Sequence, residues 1–182
     1  MNCGYDAEHK YGLLYQAGRK DGQDYYIGSD KKGELANGTS PEPDKYYTNW
    51  SANVLDSNNN LCPEGWRVPT FDELKSLLTS MSSDRVQAPD SEVYHSGLYG
   101  FWSYGTTTEK TGNKIFLPAG GSFDLWGNIG GRGTNGYYWS SVNPYSEYTD
   151  APSYFYNIVI PSSAIDQATE SRSAMSVRCV KE

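Results

Sequence analysis

Residues 130–141 read GGRGTNGYYWSS, and Gly131, Gly133 and Gly136 fall at the spacing G-x-G-x-x-G. That spacing cradles a pyrophosphate only where it leaves a strand and opens a helix, whose first N–H groups then bind the phosphates. Here the next residues are Tyr137, Tyr138, Trp139, Ser140 and Ser141, aromatic and strand-like, so the glycines are read as turn residues. Nucleophilic or metal chemistry would have to recruit His9 or His95, the only histidines of the chain, and neither sits in a nucleophile or metal motif. Cys3, Cys62 and Cys179 form no C-x-x-C pair, which removes zinc ribbons and dithiol redox loops. For an exported protein they imply one bridge and one spare thiol. The polar run Asp56 to Asn60 offers oxygens only as a solvated loop does, and no metal or cofactor is expected.

The elements that position these residues follow from pattern. In RVPTFDELKSLLTSM, Thr70 and Glu73 form a capping box behind Pro69, and Phe71, Leu74, Leu77, Leu78 and Met81 recur on one face. A helix over 70–81 is predicted, with the Glu73 carboxylate as a cap and not a catalytic base. A short strand is predicted from Leu13 to Ala17, running into a turn at Lys20, Asp21 and Gly22. Residues 29–60 are turn chemistry and should hold little regular structure. The sequons at Asn37 and Asn49 fall there and carry no weight if the source is bacterial. Beyond the helix, GLYGFWSYG, KIFLPAGGSF, GYYWSSV, YFYNIVI and MSVRCVKE are five strand candidates between Gly, Asn, Ser and Pro turns.

The totals agree with a single domain over residues 1–182. Sixteen tyrosines and five tryptophans are too many large rings for a disordered chain, and they suit an irregular core with aromatics left over for a surface. The net charge of −7, without a cluster of Lys and Arg, argues against nucleic acid as a partner. No apolar run is long enough to span a bilayer. No export signal is visible in this chain, and the resemblance described next implies an extracellular or cell-surface location after removal of one.

Taken together, YGLLYQAGRKDG, CPEGWRVPTFDELKSLL, IFLPAGGSF with GYYWSS, and SVRCVKE resemble the Fibrobacter succinogenes major paralogous family of Bacteroidetes. The resemblance runs from Tyr11 to Glu182 and departs from the family at Ala17, usually Trp, and at Ala174 and Met175, usually Gly and Phe. It implies an α+β fold of the C-type-lectin kind, on the formylglycine-generating-enzyme branch: a twisted, mostly antiparallel sheet, one main helix and long irregular loops. It also implies a disulfide between Cys62 and Cys179, matching the first-helix to last-strand bridge of C-type lectins, with Cys3 outside it. Glu42, Pro43 and Asp44 are similar to a lectin sugar motif but stand before the helix instead of after it, so calcium-dependent sugar binding is not expected.

Residues 142–174 are rich in Tyr, Asn, Ser, Asp and Ala, and Tyr, Ser and Asn are the chemistry of antibody paratopes, between two family-like anchors. Retroelement-diversified proteins of the C-type-lectin fold carry their variable residues in such a C-terminal region. The family pattern turns Ile158 and Ile160 inward, and strand alternation then turns Asn157 and Val159 outward. The function expected from the resemblance is a non-catalytic recognition module, an adhesin or diversified receptor for a protein or glycan. Its binding residues would be Trp126, Asn128, Tyr145, Tyr148, Tyr156, Asn157, Asp166 and Gln167. An ordinary polar surface is the other reading of this stretch. An enzyme related to the formylglycine-generating group, or a structural domain of a surface assembly, are the other functions open to the chain.

Overall fold

A computed structural model describes residues 14–16, 23–24, 34–35, 62–78, 81, 85–87, 98–104, 114–124, 129–142, 154–161, 167–170 and 173–182. Within these residues the chain is α+β: one helix among short, antiparallel-paired strands. In chain order the elements are β1 (Tyr15–Gln16), β2 (Gln23–Asp24), β3 (Glu34–Leu35), β4 (Trp66–Arg67), α1 (Phe71–Leu78), β5 (Val86–Gln87), β6 (Tyr99–Ser103) and β7 (Ile115–Pro118). They continue with β8 (Ser122–Phe123), β9 (Ile129–Gly130), β10 (Gly136–Trp139), β11 (Tyr154–Ile160), β12 (Gln167–Glu170), β13 (Ala174–Met175) and β14 (Val180–Lys181). The strands divide among five small sheets, ordered β1-β13-β8-β9, β10-β11-β12, β14-β4, β2-β3 and β5-β6-β7. Parallel bridges from Gly121 to Gly136 and from Tyr138 to Ser176 tie the first two together.

Each of the five expected strand segments contains a strand, and GLYGFWSYG and KIFLPAGGSF pair antiparallel through β6 and β7. The 29–60 stretch, expected to be irregular, does contain β3, paired with β2. Within the expected strand from Leu13 to Ala17, Tyr15 and Gln16 form β1, Leu13 and Ala17 lie outside the described residues, and β12 was not anticipated at all.

Helix α1 starts where the capping box places it. The Glu73 N–H donates to Thr70 Oγ1 at 3.3 Å, and the Thr70 N–H donates back to Glu73 Oε2 at 2.7 Å. The helix stops at Leu78, short of the expected residue 81, because Met81 has crossed into a β-bridge with Ser103. The Ser103 hydroxyl donates to the Leu77 carbonyl at 2.7 Å, so one of the orphan acceptors of the last turn is satisfied from the neighbouring strand. Eight residues are too few to be stable as an isolated helix, so packing must hold α1. Leu74 is buried in the main core with Leu98, Phe101, Phe116, Leu117, Tyr138, Ile158 and Ile160, while Phe71, Leu77 and Leu78 pack against its margin.

A second core gathers Cys62, Val68, Trp139, Met175 and Val177. The polar atoms of the two largest rings are answered: Tyr138 Oη donates to the Pro118 carbonyl at 2.7 Å and Trp139 Nε1 to the Tyr15 carbonyl at 2.8 Å. The bridge expected from the resemblance is present, with the Cα atoms of Cys62 and Cys179 5.9 Å apart. Ala174 and Met175, where the chain departs from the family pattern, are both buried and form β13.

The glycine run 130–136 is a turn. Gly131 and Gly133 have φ of 70° and 76°, the left-handed region that costs glycine nothing. The Thr134 and Asn135 N–H groups both donate to the Gly131 carbonyl, and the Gly133 N–H donates to the Ala119 carbonyl at 2.7 Å. Arg85 Nη1, 48 residues away in sequence, donates to the Gly133 carbonyl at 2.6 Å. Gly136 then opens β10, not a helix, so the strand–loop–helix geometry of a phosphate cradle is not formed.

Candidate functional site

The expected binding residues separate under the structure. Trp126, Asn128, Tyr145, Tyr148 and Asp166 lie outside the described residues, as do Cys3, His9, His95, Asn37, Asn49, the 42–44 motif and the 56–60 run. Tyr156 and Asn157 stand side by side on β11, and Gln167 on β12 is the register partner of Asn157.

Tyr156 is half-buried, and its ring stacks on Phe71 of α1 with centroids 4.5 Å apart and planes inclined by 23°. Lys75, one turn further along the helix, places its ammonium 5.4 Å from the Phe71 ring centre. The backbone beneath is fixed as well. The Tyr156 N–H donates to the Val142 carbonyl and its carbonyl accepts from Ser140, both at 2.9 Å, while the Ser141 N–H donates to the Pro69 carbonyl at 2.8 Å. A rigid tyrosine therefore sits at the seam between α1 and β11. The segments 143–153 and 162–166 join the two ends of β11 to β10 and β12.

Asn157 is not on the surface. It is fully buried, and Val159 is 5% exposed, which corrects the outward placement expected for both. Alternation itself holds: Ile158 and Ile160 enter the main core on the other face. The error lies in taking the opposite face to be wet. Asn157 pairs with Trp139 and Val159 with Tyr137 on that face, and Trp139 belongs to the second core. The middle strand of this sheet is covered on both sides, as buried central strands are. The Asn157 amide is held internally, Nδ2 donating to Thr169 Oγ1 at 2.8 Å.

The charged cluster next to this seam is structural. Arg67 on β4 forks onto Glu73 through Nη1–Oε2 at 2.8 Å and Nη2–Oε1 at 2.7 Å. Those hydrogen bonds, with that from the Thr70 N–H, hold the Glu73 carboxyl down at about 2 against the opposing pull of partial burial. The same pairing raises the Arg67 guanidinium. A carboxylate that is ionised at all ordinary pH and has its oxygens engaged is a poor general base, so the capping role expected for Glu73 stands. Among the described residues no group of three or more His, Cys, Asp or Glu side chains could hold a metal ion.

Two features of the site escaped the pattern reading. Phe71 was assigned to the core because it lies on the apolar helix face; its stacking on Tyr156 is a tertiary contact that periodicity does not carry. Strand β12 was missed because Gln-Ala-Thr-Glu has neither β-branched density nor alternation.

No curated protein and no solved structure matches the chain. The family model of the Fibrobacter succinogenes major domain matches residues 3–181. The anchors quoted from the sequence, the R-V-P-T-x-x-E cap and the bridged Cys179 just before the last strand, lie inside that match. The chain belongs to the Fibrobacter succinogenes major domain family.

Proposed function

We propose that this domain is a non-catalytic recognition module of the cell surface or exterior, an adhesin or diversified receptor, built on a C-type-lectin-like fold. Its ligand is a protein or a glycan. The observation that carries the reading is Tyr156: a half-buried ring, stacked on Phe71 and anchored through its own backbone. The segments on either side of β11 in sequence are rich in Tyr, Ser, Asn and Asp. Rigid aromatic anchors surrounded by adaptable polar groups are what recognition surfaces use. Tyr145, Tyr148, Asp166, Gln167, Trp126 and Asn128 are the further binding residues of this reading. Asn157, fully buried, supports Tyr156 from within the sheet and does not touch ligand.

The test is an array of glycans and surface proteins probed with the purified domain, followed by alanine substitutions. Tyr156→Ala should weaken binding by about 2 kcal/mol or more, as hot-spot truncations do, with the fold retained by circular dichroism. Lys20→Ala and Asp21→Ala, far from β11 in sequence, should leave affinity unchanged. A ligand lost with the turn variants and kept by Tyr156→Ala would move the site elsewhere.

A further inference from the structure

We infer that the bond between Cys62 and Cys179 is a redox control on the recognition site. Oxidised, it sets the seam between Phe71 and Tyr156; reduction by a dithiol releases that seam while the main core stays folded. This rests on the recognition reading above and adds the regulation of its site.

The segment that starts at Cys62 reaches Tyr156 by two routes. Cys62 and Val68 are buried together in the second core. Between them Trp66 and Arg67 form β4, which pairs with Val180 and Lys181 of β14, directly after Cys179. The Glu182 N–H adds a bond to the Gly65 carbonyl at 3.0 Å. The first route leaves from β4. Arg67 forks onto Glu73, Glu73 Oε2 accepts the Thr70 N–H, and the next residue, Phe71, carries the ring on which Tyr156 stacks. The second route leaves from Pro69. Its carbonyl accepts the Ser141 N–H, and the neighbours of Ser141, Ser140 and Val142, hold the carbonyl and the N–H of Tyr156. Ring and backbone of the tyrosine are both set from this one segment.

The bond decides whether the segment stays in place. The ladder between β4 and β14 is two residues long and lies next to cysteines 117 residues apart in sequence. Two-stranded pairing this short is marginal in water, and closing so long a loop adds an entropy cost. Once the bond opens, β4 is retained by that ladder, the Val68 side chain and the Arg67 fork. The main core is built differently: among the described residues it gathers Leu74, Phe101, Tyr138 and Ile158 with their neighbours, and neither cysteine nor any residue of β4 or β14. Loss of the bond is therefore felt first at the seam.

The exchange balances with a dithiol as reductant. Cys179 is half-buried and Cys62 is 8% exposed, so a thiolate attacks the Cys179 sulfur, and the Cys62 sulfur leaves as thiolate. The second thiol of the reductant then closes on the first and expels Cys179. Two electrons and two protons pass to the cysteines, and the reductant ends as a disulfide.

The experiment uses the whole chain carrying Cys3→Ser, so that only the bridging pair can re-form. Amide exchange is followed residue by residue in the oxidised domain, after reduction with dithiothreitol, and after reoxidation. Reduction should speed the Ser141 and Tyr156 amides, which bond to the Pro69 and Val142 carbonyls. The Ala119 amide, bonded to the Tyr99 carbonyl beside the main core, should stay slow, and reoxidation should restore the first two. Equal acceleration at Ala119 would mean the bond only stabilises the whole fold, and unchanged Ser141 and Tyr156 would mean the seam ignores it; either overturns the inference. On the array of glycans and surface proteins, a site that is set for about a tenth of the time binds about tenfold more weakly. The reduced domain should show a loss of that order for any ligand abolished by Tyr156→Ala, and the Cys62→Ala, Cys179→Ala double variant should match it without reductant. A ligand sensitive to Tyr156→Ala yet bound equally by oxidised and reduced domain would sink the redox control and keep the recognition reading. An array without any ligand would sink the recognition reading, and the exchange pattern would still decide whether the bond sets the seam.

Discussion

Arg67 and Glu73 lock the start of the helix to a strand, and the pH dependence of that lock has a definite sign. Glu73 is held at about 2 in the folded chain, far below the value near 4.3 of an unfolded glutamate. Its contribution is therefore complete above about pH 4.3 and is lost as pH falls through about 2. The Glu73 side chain is 40% exposed, so solvent screening reduces the contribution to about 1 kcal/mol. Urea unfolding between pH 6 and pH 2 should show wild type losing that increment, while Glu73→Gln starts lower and varies less. Parallel curves for the two would mean the fork adds nothing. Arg67→Lys should not rescue, because a single ammonium cannot make both bonds of the fork. Gly100 is a second residue whose identity is fixed by contact. A Cβ there would meet the Leu117 carbonyl oxygen, which is backbone and cannot yield, and the Phe116 ring at 2.7 and 2.8 Å. Gly100→Ala should cost about 1–3 kcal/mol in thermal or chemical denaturation, and a neutral result would mean β6 and β7 can slide apart.

Helix α1 shows how far pattern reasoning reached among the elements. Its start was legible because a capping box is local: Thr70 and Glu73 satisfy each other's backbone neighbours whatever the rest of the fold does. Its end was not, because the residue that closes it, Ser103, comes from another strand. The same divide runs through the candidate site. Tyr156 could be picked out by composition, and the inward turn of Ile158 and Ile160 came from the family pattern, but the burial of Asn157 depends on which core lies behind Trp139. Periodicity reports which face a residue takes and is silent on whether that face is wet. Burial makes Leu74, 1% exposed, a more sensitive helix position than the half-buried Leu77. Leu74→Ala should cost about 2–5 kcal/mol and Leu77→Ala clearly less, measured by denaturant titration. The reverse order would mean the helix is rotated about its axis.

Across the whole molecule, the bond between Cys62 and Cys179 spans 117 residues of sequence. On the chain-entropy account, closing a loop of that size in the unfolded chain is worth about 4–5 kcal/mol. The Cys62→Ala, Cys179→Ala double variant should lose that much relative to the oxidised protein, and a loss under about 1 kcal/mol, far below the account's figure, would show that the unfolded chain is already compact there. The bridge also has a mechanical consequence. Tension applied between residues before Cys62 and residues after Cys179 crosses from one to the other through a covalent bond, 5.9 Å from Cα to Cα. Everything between, including α1, Tyr156 and β12, hangs outside the line of force. A domain bridged in this way can carry tension between its two ends while the residues inside the bridge stay slack. Pulled from its two ends in an optical trap, the oxidised protein should never release the length of the enclosed 117 residues, which a dithiol reductant would free as about 400 Å of additional extension.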